Sequence, residues 1–238
     1  MNLNIFISKS GYCSRRNADT LIKTKKVTVS GKIIDKPYYD VKQNEEVHIE
    51  GKNITQKRQV YFIFNKPKGV IATCRDIFAD KKVTDFFPKE LSGIFPVGRL
   101  DKNTTGLIIL TNDGDLCHRA THPSFEVEKE YEAILNGVLS FSDIAKAKKG
   151  ITDEGELLKV KKVNITKVYN NRTYCSVVIS EGKKRHLRRI FSSLNYFMVS
   201  LKRVRIGNLK LGNLDNGQYK SLPQKEIYHL LFDDQRLK

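Results

Sequence analysis

Tryptophan is missing from the chain and methionine occurs only twice. No strongly amphipathic basic helix with aromatic anchors is present, which argues against residence on an anionic membrane surface. Apolar runs extend over only a few residues, too few to cross a bilayer. Cysteine is sparse: Cys13, Cys74, Cys117 and Cys175 lie more than forty residues apart, with no Cys-x-x-Cys pair. That spacing does not build a zinc site, and Cys117-His118 with His122 has no second pair to complete a ligand set. Met1-Asn2-Leu3-Asn4 lacks the charged segment and apolar stretch of a secretory signal. Reduced thiols in a cytoplasmic protein without a metal are therefore expected. Acidic residues are the other scarcity, 26 against 43 Lys+Arg, giving a formal net charge of +17. A field of that sign draws polyanions, with RNA or DNA first among them. Apolar residues make up 39% of the 238, enough for a core, so a disordered basic tail is excluded.

What is present divides the chain in two. Leu3, Phe6 and Ile7 share one face of a short helix, Gly11 ends it, and Ser14 caps a second helix whose buried side is Ala18, Leu21 and Ile22. Val27 to Ile34 reads as a hairpin turning at Ser30-Gly31, with Val47 and Ile49 in a closing strand. Twelve Lys/Arg against six acids fall within residues 1–59, and Arg15 and Arg16 open the second helix. The polar stretch 51–59 is expected to be a linker between a unit over 1–50 and a larger one over 60–238.

In the larger unit strands predominate: 61–64, 106–111, 129–135, 159–168, 174–180, 199–206 and 209–211. Helices are expected at 84–87, 115–120, 142–149, 184–194 and 224–232. There is no internal repeat and no low-complexity segment. Segregated helices and strands point to an α+β domain built on a large, mixed, mostly antiparallel sheet flanked by helices.

Three segments carry chemistry. Gly98-Arg99-Leu100-Asp101 lies in a loop punctuated by Gly and Asn, and the apolar run Leu107–Leu110 follows at once. An ionised carboxylate is thereby fixed at the mouth of a rigid strand. In Lys129-Glu130-Tyr131, the lysine and tyrosine project from the same strand face, where a tyrosine can stack on a base. Isolated, such a tyrosine is more often a core residue. In 180–191, Leu187, Ile190 and Phe191 mark a buried helical stripe, leaving Arg185, Arg188 and Arg189 off it. Nine Lys/Arg against the single acid Glu181 fall within 181–210, a density suited to phosphate contacts. One such cation can instead turn inward and keep a carboxylate ionised. In Leu201–Gly207, Leu201, Val204 and Ile206 are expected to pack while Lys202, Arg203 and Arg205 face outward.

The ordered Cys13-Ser-Arg-Arg16 and Val29-Ser-Gly-Lys32 resemble the alpha-L RNA-binding domain, the module of ribosomal small-subunit protein four. Lys66-Pro67-x-Gly69, Gly98–Asp101 with Thr105-Gly106-Leu107, Lys129-x-Tyr131, Glu181-Gly182 leading to Leu187-Arg188-Arg189, Leu201–Gly207 and Leu214-x-x-Gly217 follow in register. Together they resemble the rRNA pseudouridine synthases that carry an alpha-L domain. His186 stands where that family commonly has Gln, and Asn208 where Pro often follows Ile-Gly.

The resemblance implies a cofactor-free isomerisation of uridine, with Asp101 as the catalytic carboxylate and Arg188 as its ion-pair partner. It implies that Tyr131 stacks on the uracil and takes part in proton transfer, and that Leu187 packs the pocket. Arg99, Lys129, Arg15, Arg16, Arg185, Arg189, Lys202 and Arg203 are the expected substrate contacts. The surroundings of His122-Pro123 and Glu126–Lys129 look closer to the large-subunit rRNA enzymes than to the small-subunit ones. Ribosomal RNA, free or in an assembly particle, is the expected partner of a monomer. A small-subunit enzyme or a non-catalytic assembly factor of the same fold stays open. A DNA-binding regulator leaves Gly98–Asp101 unexplained.

Overall fold

A computed structural model describes residues 1–74, 80–91 and 93–232. The N-terminal unit packs α1 (Leu3–Lys9) and α2 (Arg15–Lys23) on a small sheet of β1 (Val27–Val29), β2 (Lys32–Ile33), β3 (Val47–Ile49) and β4 (Lys52–Ile54). Its strand order is β2-β1-β3-β4. Ser14 caps α2, its side chain accepting from the Asn17 amide at 3.3 Å, so one orphan donor of the first turn is satisfied. Leu3, Ile7, Ala18 and Ile22 meet Val27, Val29, Val47 and Ile49 in a core of their own. Ser30 and Gly31 both have positive φ, 46° and 81°, as a two-residue hairpin requires.

One expectation fails here. Lys52–Ile54 lies within the expected linker, yet it pairs with Val47–Ile49 and extends the sheet. Glu50 and Gly51 make a second tight turn with positive φ. Lys52-Asn53-Ile54 has only one apolar residue, so neither turn nor strand announces itself.

The larger unit is built on β5 (Tyr61–Lys66), β6 (Phe95–Pro96), β7 (Thr105–Thr111), β8 (Lys129–Asn136), β9 (Ile151–Asp153), β10 (Glu156–Leu158), β11 (Lys162–Tyr169), β12 (Arg172–Ile179), β13 (Met198–Ile206), β14 (Leu209–Lys210) and β15 (Tyr219–Ser221). The main sheet runs β11-β12-β8-β13-β7-β5-β15, with β6 on β7 and β14 on β13; β9 and β10 form a separate hairpin. All its pairings are antiparallel except β13 with β7.

The helices are α3 (Gly114–Thr121), α4 (Phe141–Lys149), α5 (His186–Ser193) and α6 (Gln224–Leu231). The helix expected at 84–87 is a short 3-10 helix, Val83–Phe86. The hairpin β9–β10 and the edge strand β15 were not among the expected elements.

Residues 61–64 of β5 and 107–110 of β7 are unbroken apolar runs because both faces of the sheet are covered. Phe62, Phe64, Ile108 and Leu110 enter the core beneath α5, with Leu187, Ile190 and Phe191. Tyr61, Ile63, Leu107 and Ile109 enter the opposite core with Leu116 of α3 and Ile227 and Leu231 of α6. At the parallel junction Gly106 faces the backbone of β13. A Cβ placed there would stand 2.2 Å from the Arg203 carbonyl oxygen, at φ +99°, so only glycine lets the strands approach this closely.

Candidate active site

Asp101 occupies the loop that feeds β7. Its carbonyl accepts from the Thr104 amide at 3.0 Å, and the Lys102 carbonyl accepts from the Gly69 amide at 2.8 Å. Between these turns lies Lys66, the last residue of β5, with no exposed surface. Its Nζ donates to the carbonyls of Val70 at 2.7 Å, Pro67 at 2.9 Å and Lys102 at 3.4 Å. One buried ammonium therefore ties the 67–70 turn to the Asp101 loop. Burial pushes its pKa down to about 8, while the charge of Asp101 acts in the opposite sense. The sequence marked Lys66-Pro67-x-Gly69 as one of the motifs of the family resemblance but assigned Lys66 no role; the signal for one is a lysine closing a strand that opens with four apolar residues.

Arg188 reaches the same loop from the first turn of α5. Its Nε stands 3.9 Å from Oδ2 of Asp101, and its two terminal nitrogens donate to the carbonyls of Asn103 and Met198. Burial lowers the pKa of the guanidinium, and Asp101 partly reverses that. The Asp101 side chain keeps 38% of its surface exposed, against 17% for Arg188. The carboxylate is thus at the rim of the site and its cation is in the wall.

Asp101 and Arg188 line a cavity of about 70 Å³ together with Arg99, Tyr131, Arg185 and Leu187. Tyr131 projects from β8 and is 8% exposed; Leu187 is buried beside it. Six of the residues singled out from the sequence therefore converge on one depression. Thr104, Lys183 and His186 also line it, and they were not among the expected contacts. Chemically this is an anion beside a fixed cation, walled by an aromatic ring and aliphatic groups. Such a site favours positive character developing on a bound group.

Other expected contacts are elsewhere. Arg15 and Arg16 are exposed at the start of α2, in the N-terminal unit. Lys129 shares the Tyr131 face of β8, but its Nζ donates to the Ser180 carbonyl at 3.4 Å and it does not line the cavity. Burial, followed by the charge of Arg203, brings its pKa down to about 8. Lys202 lies on the other face of the sheet, in a groove with Glu130 and Glu132.

Two expectations are corrected. Arg189 is paired with Asp153, Glu154 and Glu156 of the β9–β10 hairpin, which takes its charge out of use for phosphate. Arg203 does not face outward: it is 4% exposed, and its Nε donates to the Leu107 carbonyl at 2.7 Å. Leu201, Lys202 and Arg203 pair in regular register with Ala133, Glu132 and Tyr131. Arg203, two residues from the buried Leu201, therefore shares its face, and neighbouring Lys202 and Arg203 cannot both face outward. Arg205 is itself bound to Glu128 and Glu130.

The family model for RNA pseudouridylate synthase matches residues 60–193, and that for the S4 domain matches residues 1–47. An uncharacterized RNA pseudouridine synthase of Aquifex aeolicus is 35% identical over 240 residues, covering 97% of this chain and 96% of that one. The ribosomal large subunit pseudouridine synthase B of Bacillus subtilis is 34% identical, covering 94% and 93% respectively. A crystal structure of a pseudouridylate synthase superposes with a TM-score of 0.68 at 30% identity, over 97% of this chain and all of the other.

Proposed function

Because this chain belongs to the RNA pseudouridine synthase family, we propose that it converts one uridine of large-subunit ribosomal RNA to pseudouridine, with Asp101 as the catalytic carboxylate. The observation that carries the reading is the convergence of Asp101, Arg188 and Tyr131 on one cavity.

The net reaction breaks the N1–C1′ bond and makes a C5–C1′ bond; the proton lost from C5 is balanced by one gained at N1. Detachment of the base builds positive character on the sugar, and a carboxylate beside C1′ stabilises it. A partly desolvated carboxylate stays ionised at less cost with a guanidinium nearby, which is the part Arg188 plays. Tyr131 offers its ring as a stacking surface for the extruded base.

Extrusion costs roughly a few kcal/mol, which basic surface contacts offset. In this proposal the phosphates meet Arg99 and Arg185, exposed at the cavity, and Arg15 and Arg16, exposed on α2. In this reading residues 1–54 grip RNA as a separate unit. The large-subunit target is supported by the Bacillus subtilis relative, whose name specifies that subunit.

The test is site-resolved pseudouridine mapping of ribosomal RNA from cells with and without the gene. Loss of one large-subunit position, restored by the wild-type gene and not by Asp101→Asn, is the expected result. An unchanged map contradicts the proposal, and a missing small-subunit position contradicts its target.

A further inference from the structure

Two residues that line the cavity carry buried polar atoms that the fold leaves without partners. Four buried side-chain nitrogens and oxygens among the described residues make no hydrogen bond, and two of them are Oγ1 of Thr104 and Nδ1 of His186. Both residues line the cavity that contains Asp101. A buried polar atom without a partner is costly, and a site that keeps two is arranged for a ligand to supply the missing groups.

His186 is set in one tautomer from outside the cavity. Its Nε2 lies 3.0 Å from the Lys159 carbonyl oxygen, which can only accept, so Nε2 carries the hydrogen. Nδ1 of the neutral ring is then a lone-pair acceptor. Burial lowers the pKa of the ring, Lys183 and Arg189 act in the same sense, and the Lys159 carbonyl and Glu181 oppose them. The ring is 4% exposed, and the backbone bond of α5 from the Arg189 amide to the Arg185 carbonyl holds its turn in place.

The chemistry of uracil matches this arrangement. Its edge presents one donor, N3–H, between two acceptors, O2 and O4. N1 and C5 are the two ring neighbours of C6. A base that leaves C1′ through N1 and returns through C5 therefore turns about the line from C6 to N3. That turn exchanges O2 and O4 but leaves N3–H where it was. An acceptor held on N3–H keeps its bond throughout the turn. Cytosine, with no hydrogen on N3, has nothing to offer it.

Resting on the reading that this cavity takes the target uridine, we infer that His186 is a specificity-determining pivot. Its Nδ1 accepts from N3–H while the detached base turns, and the Thr104 hydroxyl donates to the carbonyl oxygen beside it, O4 or O2.

The test uses the full chain and a short RNA spanning the uridine found by mapping, made with uridine or 3-methyluridine at that one position. His186→Ala is expected to lose roughly 10- to 100-fold in kcat on the uridine RNA, with RNA affinity unchanged. The wild type discriminates against the methylated RNA to a similar degree, and in His186→Ala that discrimination shrinks to within about threefold. His186→Gln, which retains both a donor for Lys159 and an acceptor, recovers most of the rate. Thr104→Val, nearly isosteric, loses about tenfold.

Should His186→Ala fail to fold, His186→Phe fills the same space without an acceptor and carries the same comparison. Undiminished discrimination in a folded variant overturns the inference, as does an active wild type indifferent to the N3 methyl group. A wild type that isomerises neither RNA overturns the functional reading itself, and the inference with it.

Discussion

The guanidinium of Arg188 is held by the carbonyls of Asn103 and Met198, at 3.3 and 3.4 Å, and presents Nε to Oδ2 of Asp101 from 3.9 Å. That separation is too long for a hydrogen bond. Arg188 therefore acts on Asp101 as a fixed field, and the two carbonyls fix it. A lysine supplies one point charge and cannot span both carbonyls. Arg188→Lys is expected to lower kcat/KM roughly 100-fold, corresponding to about 2.7 kcal/mol of transition-state stabilisation. Single-turnover isomerisation of the mapped RNA measures it, and a loss smaller than about threefold counts against the arrangement.

Lys66 gives a pH dependence with a definite sign. Its folded pKa is about 8, below the ordinary 10.5, because burial disfavours the ammonium. Between pH 8 and 10.5 the unfolded chain binds more protons at this residue than the folded one, so stability from this group rises with pH across that window. Below pH 8 the folded protein carries the full cost of the buried charge. Lys66→Met removes the titration, so the stability of the wild type relative to the variant should climb from pH 8 to 10.5, by no more than about 3 kcal/mol. Denaturant unfolding at a series of pH values reads this directly; a difference flat with pH rejects it. Turnover of the variant should also fall, because the Asp101 loop loses its tie to the 67–70 turn.

Arg185 and Arg189 are four residues apart on one turn, yet they should behave differently towards RNA. Arg185 is exposed at the cavity, whereas Arg189 is bound to three acids of the β9–β10 hairpin. Arg185→Ala is expected to reduce the slope of log affinity against log salt by about one; Arg189→Ala should leave the slope unchanged. A salt titration of RNA binding for the two variants decides it. Equal slopes would place both arginines in the same role.

The sequence made some of this legible because local chemistry decided it. Ser14 could be named as a cap because an oxygen before Arg15 meets an orphan amide of the helix whatever the rest of the chain does. The apolar runs 61–64 and 107–110 marked strands because both faces of the sheet are covered. Asp101, Tyr131 and Arg188 were identified by motif resemblance, and their meeting point lies where β7, β8 and α5 come together.

What was illegible depended on distant partners. The acids that occupy Arg189 lie over thirty residues upstream in a hairpin with few apolar residues to reveal it. Arg203 is an exception: two residues from Leu201, it shares that buried face by simple alternation, and the slip against β8 comes only after it. Lys66 belonged to a motif but carried no assigned role, because its three carbonyl partners are set by the packing of two loops. The unpartnered atoms of Thr104 and His186 emerge only when every neighbour has been placed.

In the proposed reaction Asp101 performs the isomerisation and contributes little to holding the RNA. Asp101→Asn keeps the side chain's size and removes its charge, so it separates the two roles. Turnover and RNA affinity of this variant should be measured on the same mapped substrate, with thermal unfolding to verify the fold. Turnover is expected to fall by roughly 1,000-fold or more while affinity stays within a few-fold of wild type. Near-wild-type turnover by a folded Asp101→Asn protein would contradict it.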